Sequence, residues 1–242
     1  MPGATLTVTD QDGDFNEYGR GALAIATNAT ATISGTEWLL TSNNTHYVDG
    51  ALTVNCPLVP QVRQTFRGDG TLTLAGGVSS ASGGVRVEGN LTLVPANWLN
   101  DVALSVKDDV TIAPTGDWTF GGDATLDLVY NSKLTLATGG HKITLAKPVV
   151  SKSGTLAVTG GGTLALTAGT ELGKVTCADG ATLAIAANSE VVGQYVDVLT
   201  VREDDDSIAL DTGYKVEKRI DEATGYTVYS VRRKLGAMFI LR

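Results

Sequence analysis

The chain has 242 residues, of which 43% are hydrophobic, only 6% aromatic and only 18% charged, with a net charge of -8. An acidic surface repels a phosphate backbone, which excludes nucleic acid as a partner. No stretch reaches the roughly 20 apolar residues that a membrane-spanning helix needs, so insertion by that route is excluded too.

So few aromatic residues leave Leu, Val, Ile and Ala to fill the core. Thr occurs 32 times and Gly 29 times. Thr is β-branched and suits a half-exposed strand, and Gly allows tight corners between strands. This pairing predicts many short strands, close turns and almost no helix.

The first residues, MPGATLTVTDQDGD, have neither the basic nor the apolar stretch of a signal peptide, so an exported form would need a leader outside this chain. The best candidate metal site follows at Asp10, Asp12 and Asp14, because calcium wants several carboxylate oxygens at close spacing. The match to an EF-hand loop is partial: Phe15 stands where its Gly belongs and Gly21 where its final Glu belongs. A solvated acidic turn is the competing reading, and no cofactor is expected.

From about residue 20 a degenerate repeat dominates. Copies are Gly21-Ala22-Leu23-Ala24-Ile25, Gly50-Ala51-Leu52-Thr53-Val54, Gly70-Thr71-Leu72-Thr73-Leu74 and Gly89-Asn90-Leu91-Thr92-Leu93. Later ones begin at Gly154, Gly162 and Gly180, while Leu126-Asp127-Leu128 and Leu134-Thr135-Leu136 keep the pattern without its glycine. The alternation has period two, so leucines face one way and threonines the other. Steps between copies are 20, 19 and 18 residues, with one short step of 8 between Gly154 and Gly162. A recurrence near 20 residues predicts an all-β solenoid with two or three strands per coil. About nine coils rising ~4.8 Å each would make a rod of roughly 45 Å. A β-sandwich also uses alternating strands, but its strands rarely resemble one another this closely.

Residues 97–121 fit the repeat less cleanly and read as two strands with a corner at Lys107-Asp108-Asp109. Within the repeat region His46 and His141 lack partners at metal-ligand spacing and are expected on the surface. Cys56 and Cys177 each sit in an apolar stretch and read as small buried thiols, with their pairing left open. Asp123 and Asp127 are the best carboxylate pair, ~13 Å apart along one strand and too distant to act without a third group. Thr5-Leu6-Thr7 and Thr71-Leu72-Thr73 have the form of a water-ordering rank, but two copies are too few for one.

The end changes character. Arg202 to Asp206 is an acidic loop, Tyr214 to Arg219 and Tyr226 to Val231 alternate around an Asp221–Gly225 turn, and Ala237 to Leu241 is apolar. Two units are therefore expected: a solenoid repeat domain over 1–198 and a cap with a β-hairpin over 199–242. A cap is needed because an open last rung templates aggregation.

The run Gly68-Asp69-Gly70-Thr71-Leu72-Thr73-Leu74-Ala75-Gly76-Gly77 resembles the passenger-associated repeats of autotransporter proteins, and the likeness spans about residues 20 to 195. It implies a right-handed parallel β-helix, export through a bacterial envelope, and adhesion or display at the cell surface or in secreted form. It carries no catalytic residues. The chain is too short to hold a membrane translocator barrel as well, and it ends in Leu241-Arg242 instead of an aromatic residue. The expected function is a non-enzymatic structural or adhesive segment, with host glycans or matrix as partners and with self-association open. The alternatives are a carbohydrate-active β-helix enzyme, which needs carboxylates on neighbouring rungs, and a phage tail-fibre-like module.

Overall fold

The computed structural model describes residues 22–79, 82–98, 101–122, 124–186, 193–204, 206–209 and 213–233, together with the backbone of two strands at 5–9 and 14–17. Every regular element among them is a β-strand. With no helix there, none is long and apolar enough to cross a membrane.

The period-two pattern becomes strands with one dry and one wet face. In Ala51–Val54, Leu52 and Val54 are fully buried while Ala51 and Thr53 are half-exposed. Leu58–Pro60 and Gln64–Gly68 then complete one coil, and Thr71–Leu74 begins the next, stacked in parallel on Ala51–Val54. Each coil thus spends three strands, one on each of three faces.

The first face is one continuous sheet, sheet A. Ten of its strands run parallel: Thr5–Thr9, Thr30–Ser34, Ala51–Val54, Thr71–Leu74, Thr92–Pro95, Asp109–Ile112, Lys133–Ala137, Val150–Thr159, Thr170–Cys177 and Val196–Glu203. The second face holds sheet B (Asp14–Glu17, Glu37–Leu40, Leu58–Pro60) and sheet D (Trp118–Phe120, Lys142–Leu145, Thr163–Leu166, Thr182–Ile185). Parallel bridges from Leu58 to Val78 and from Val78 to Trp98 extend sheet B. The third face is sheet C: Ala24–Ile25, Thr45–Val48, Gln64–Gly68, Val85–Gly89, Leu104–Val106 and Leu126–Leu128. The architecture is a parallel β-solenoid, as the repeat predicts, and the antiparallel sandwich is set aside.

Stacking lines up the inward residues. Leu52, Leu72, Leu93, Ile112, Leu136 and Val158 follow one another in register down sheet A, each at most 1% exposed. At roughly 1.5–3 kcal/mol per fully buried aliphatic side chain, such a file holds the rungs together. The register differs at one point from the spacing of the repeat. Leu72 pairs with Leu93, 21 residues on, where alignment of the Gly-x-Leu copies places it against Leu91. Leu91 is also fully buried. A shift of two residues keeps every side chain on its own face, so alternation alone does not decide between the two.

The copies also land on different faces. Gly21's copy lies in sheet C and those of Gly162 and Gly180 in sheet D, whereas the others named above that begin with Gly belong to sheet A. The 8-residue step from Gly154 to Gly162 is therefore a move around one coil, from sheet A to sheet D. In the irregular region, Leu104–Val106 and Asp109–Ile112 flank the expected corner, where Asp108 takes a φ of 67°. A third strand, Trp118–Phe120, follows them.

The last described rungs form the cap. Val196–Glu203 pairs antiparallel with Thr227–Arg233, which pairs antiparallel with Tyr214–Ile220. Val228, Tyr229 and Val231 are buried, while Lys215, Glu217, Lys218 and Arg219 on the outermost strand are exposed. Charges along an edge discourage a further strand from pairing there. The Arg219 guanidinium donates to both oxygens of Asp197, at 3.1 and 2.7 Å, and this holds the Asp197 carboxyl below its usual range. Asp204, from the acidic loop, pairs with Lys218 at 2.6 Å and accepts from the Tyr229 hydroxyl at 2.8 Å. Burial works to raise its carboxyl, but these partners outweigh burial and hold it low. The apolar run 237–241 lies outside the described residues.

Candidate ligand-binding face

Sheet C carries the chain's charged chemistry on its outer surface. Phe66, Val87 and Val106 point inward and are fully buried, which turns Arg67, Glu88 and Lys107 outward. Register places Tyr47 beside Arg67 and Arg67 beside Glu88. Lys107 continues the row, its ammonium 4.0 Å from Glu88 Oε2. A second row runs Thr45, Thr65, Arg86, Ser105, Asp127 across five consecutive strands. Arg86 Nε lies 2.7 Å from Glu88 Oε1, so Glu88 sits among cations and is itself nearly buried. Tyr47 stands at the end of the first row with 48% of its surface exposed.

Beside these rows runs a groove of about 500 Å³, lined by Arg63, Ser82, Gly83, Gly84, Asp101 and Ser105, among others. Glycines form its floor for a steric reason: a Cβ at Gly83 would stand 2.4 Å from the carbonyl oxygen of Val62 on the rung below. The groove itself offers the Ser82 and Ser105 hydroxyls, the Arg63 guanidinium and the Asp101 carboxylate, while the exposed Tyr47 ring stands outside its lining, at the end of the first row. The signal in the sequence was a polar or charged outward residue recurring about every 20 positions, at Tyr47, Arg67, Glu88 and Lys107, and the glycine motif does not mark it.

A second, smaller cleft of about 300 Å³ lies on the other side, between sheet D and the hairpin, lined by Asp117, His141, Lys142, Thr163 and Tyr214 with several glycines. Asp117 Oδ1 accepts the Lys142 backbone N–H at 2.9 Å and stands 3.9 Å from His141 Nδ1. Thr163 shares its hydroxyl hydrogen bond with Thr182 at 3.1 Å.

The candidate residues read from the sequence fall apart. Asp10 and Asp12 lie outside the described residues, and Asp14 opens a strand of sheet B, its backbone in register with Glu37. Asp123 also lies outside them, and Asp127 is exposed between buried Leu126 and Leu128. Among the described residues no group of three His, Cys, Asp or Glu side chains is placed to hold a metal. Cys56 is buried and Cys177 half-buried, and neither is in a disulfide. Burial raises the Cys56 thiol above its ordinary pKa.

His46 is a correction. It is not on the surface but wholly buried, because position 46 is an inward position of Thr45–Val48. Its polar atoms are satisfied there. Nδ1 accepts the Leu23 N–H at 3.2 Å, and Nε2 donates to Gln64 Oε1 at 3.4 Å. Gln64 in turn donates to the Ser42 carbonyl at 2.8 Å. Burial lowers the imidazole pKa against the opposing effect of the Gln64 bond, which keeps the ring neutral. His141, by contrast, is half-exposed.

Comparison with known proteins finds no matching family model, no matching curated protein and no matching solved structure.

Proposed function

We propose that this chain is a non-enzymatic structural and adhesive segment of a bacterial surface or secreted repeat protein, and that it recognises host glycans or matrix through the outer face of sheet C. The observation that carries this reading is the row of Tyr47, Arg67, Glu88 and Lys107, brought onto four successive rungs of the face that also holds a glycine-floored groove. Stacked rungs make such a surface rigid and extended, which suits holding it away from a cell. A row with one contact per rung also lets a linear polymer bind through many weak contacts.

The geometry favours binding over hydrolysis. Glu88 is engaged by Arg86 at 2.7 Å and faces Lys107 at 4.0 Å, and Asp127 lies two strands further along sheet C. A glycosidase needs two carboxyl groups facing one bond across a gap of roughly 5–10 Å. The test is a glycan and matrix-protein array probed with the purified chain and with Arg67→Ala and Arg86→Ala. Retention of a glycan or matrix ligand that both substitutions weaken supports the reading. An array with no ligand at high micromolar protein, or release of reducing sugar from a bound glycan, overturns it.

A further inference from the structure

We propose that the outer face of sheet A binds ice, by ordering water on two parallel columns in which threonine is the commonest residue. This inference does not rest on the glycan reading, which concerns a different face.

The columns exist only once the rungs are stacked. They flank the central buried file, one residue on either side of it. The first runs Thr30, Ala51, Thr71, Thr92, Thr111, Thr135, Ala157, Thr176. The second runs Thr32, Thr53, Thr73 and Val94, and lower down the sheet Ala137 stands in register with Thr159. Not one of these positions is charged or aromatic. The backbone of Thr5 and Thr7 extends the register by one more strand. Two Thr-x-Thr pairs fall among the described side chains, Thr30 with Thr32 and Thr71 with Thr73; the other threonines of the array are not neighbours in the chain.

Strand propensity does not account for this. Thr favours strands in general, yet the outer face of sheet C in the same rungs carries Tyr47, Arg67, Arg86, Glu88, Lys107 and Asp127. Charge is confined to other parts of the molecule, including the edge of sheet A itself, where Lys133 and Lys174 stand one position outside the columns. The occupant is therefore not a polyanion, which would need cations, and not a stacked sugar, which would need rings.

Water in a fixed lattice fits what remains. Column positions stand ~4.8 Å apart from rung to rung and ~6.6 Å apart along a strand, a rectangular grid near the oxygen repeats of hexagonal ice. Threonine is stiff at χ1, so its methyl and hydroxyl hold one arrangement at little entropic cost. The methyl groups order water around them and the hydroxyls anchor it. Alanine leaves the face flat where threonine is missing.

The test uses the full chain, fluorescently labelled, with a growing ice hemisphere and an ice-recrystallisation assay. The expected result is incorporation of label into the ice and slowed recrystallisation. Thr73→Lys and Thr111→Lys, in mid-face, should lose both effects, and Thr65→Lys on sheet C should retain them. Melting curves verify folding, and Thr92→Lys, one rung further along the first column, replaces Thr73→Lys if that variant unfolds. Exclusion of the wild-type chain from ice overturns the proposal, as does equal activity in the mid-face variants. A wild-type dimer in sedimentation that Thr73→Lys makes monomeric also overturns it, because the occupant is then a second copy of the chain.

Discussion

The imidazole of His46 stacks on the ring of Phe66 in the next rung, with centroids 5.0 Å apart and planes tilted by 23°. Trp38 meets both rings edge-on, at 5.4 and 6.1 Å. A titratable group is thereby enclosed by aromatic side chains and the Gln64 amide.

This enclosure predicts a specific acid sensitivity. The pKa of His46 is lowered by folding, below the ordinary 6.5. The unfolded chain therefore takes up a proton first as pH falls. Stability from this group is fully present above about pH 6.5 and declines below it, until the folded-state pKa is passed. Melting temperature should drop between pH 7 and pH 5 in the wild type. His46→Gln, which cannot titrate, should show a smaller drop over that interval. An unchanged slope in His46→Gln would remove His46 as the cause.

Glycine substitutions should separate two demands that look alike in the sequence. A Cβ at Gly70 would lie 2.0 Å from the carbonyl oxygen of Gly50, so Gly70→Ala forces adjacent rungs apart and should cost about 3 kcal/mol. At Gly140 nothing lies within 4 Å, but φ is +86°, and Gly140→Ala should cost only about 1 kcal/mol of backbone strain. Gly116 has open space and no such φ, so Gly116→Ala should be neutral or stabilising by up to about 0.5 kcal/mol. Denaturant unfolding of the three variants checks the order; equal losses would contradict steric stacking as the cause.

Removal of the hairpin should turn the rod's end into a template. Val196–Glu203 would then have a bare edge beside buried Val198, Leu199 and Val201. A chain lacking residues 213 onward should form oligomers by light scattering at concentrations where the intact chain is monodisperse. Arg219→Ala should loosen the hairpin through Asp197 without exposing that edge, and so should not oligomerise. A monodisperse truncated chain would show that the hairpin is not the guard.

Strands, faces and the antiparallel hairpin were legible in the sequence because they follow from neighbours in the chain. Alternation puts Leu72 and Leu74 inside and Thr71 and Thr73 outside wherever the strand lies. The charged alternation after Tyr214 and the turn at Asp221 likewise mark a hairpin locally. The charged row on sheet C was harder to see, since Tyr47, Arg67, Glu88 and Lys107 are separated by about a coil each and carry no shared motif.

Only the tertiary structure decided which rungs touch. The sequence by itself determined that short strands with one apolar face must stack, because no single coil can bury its leucines alone. It did not determine that Leu72 meets Leu93, that three sheets share one glycine motif, or that His46 is enclosed. A two-residue slip preserves every inside and outside assignment, so local pattern is blind to register, and the lengths of corners and the packing of inward side chains against adjacent rungs choose it. The threonine columns and the charged rows are consequences of that choice.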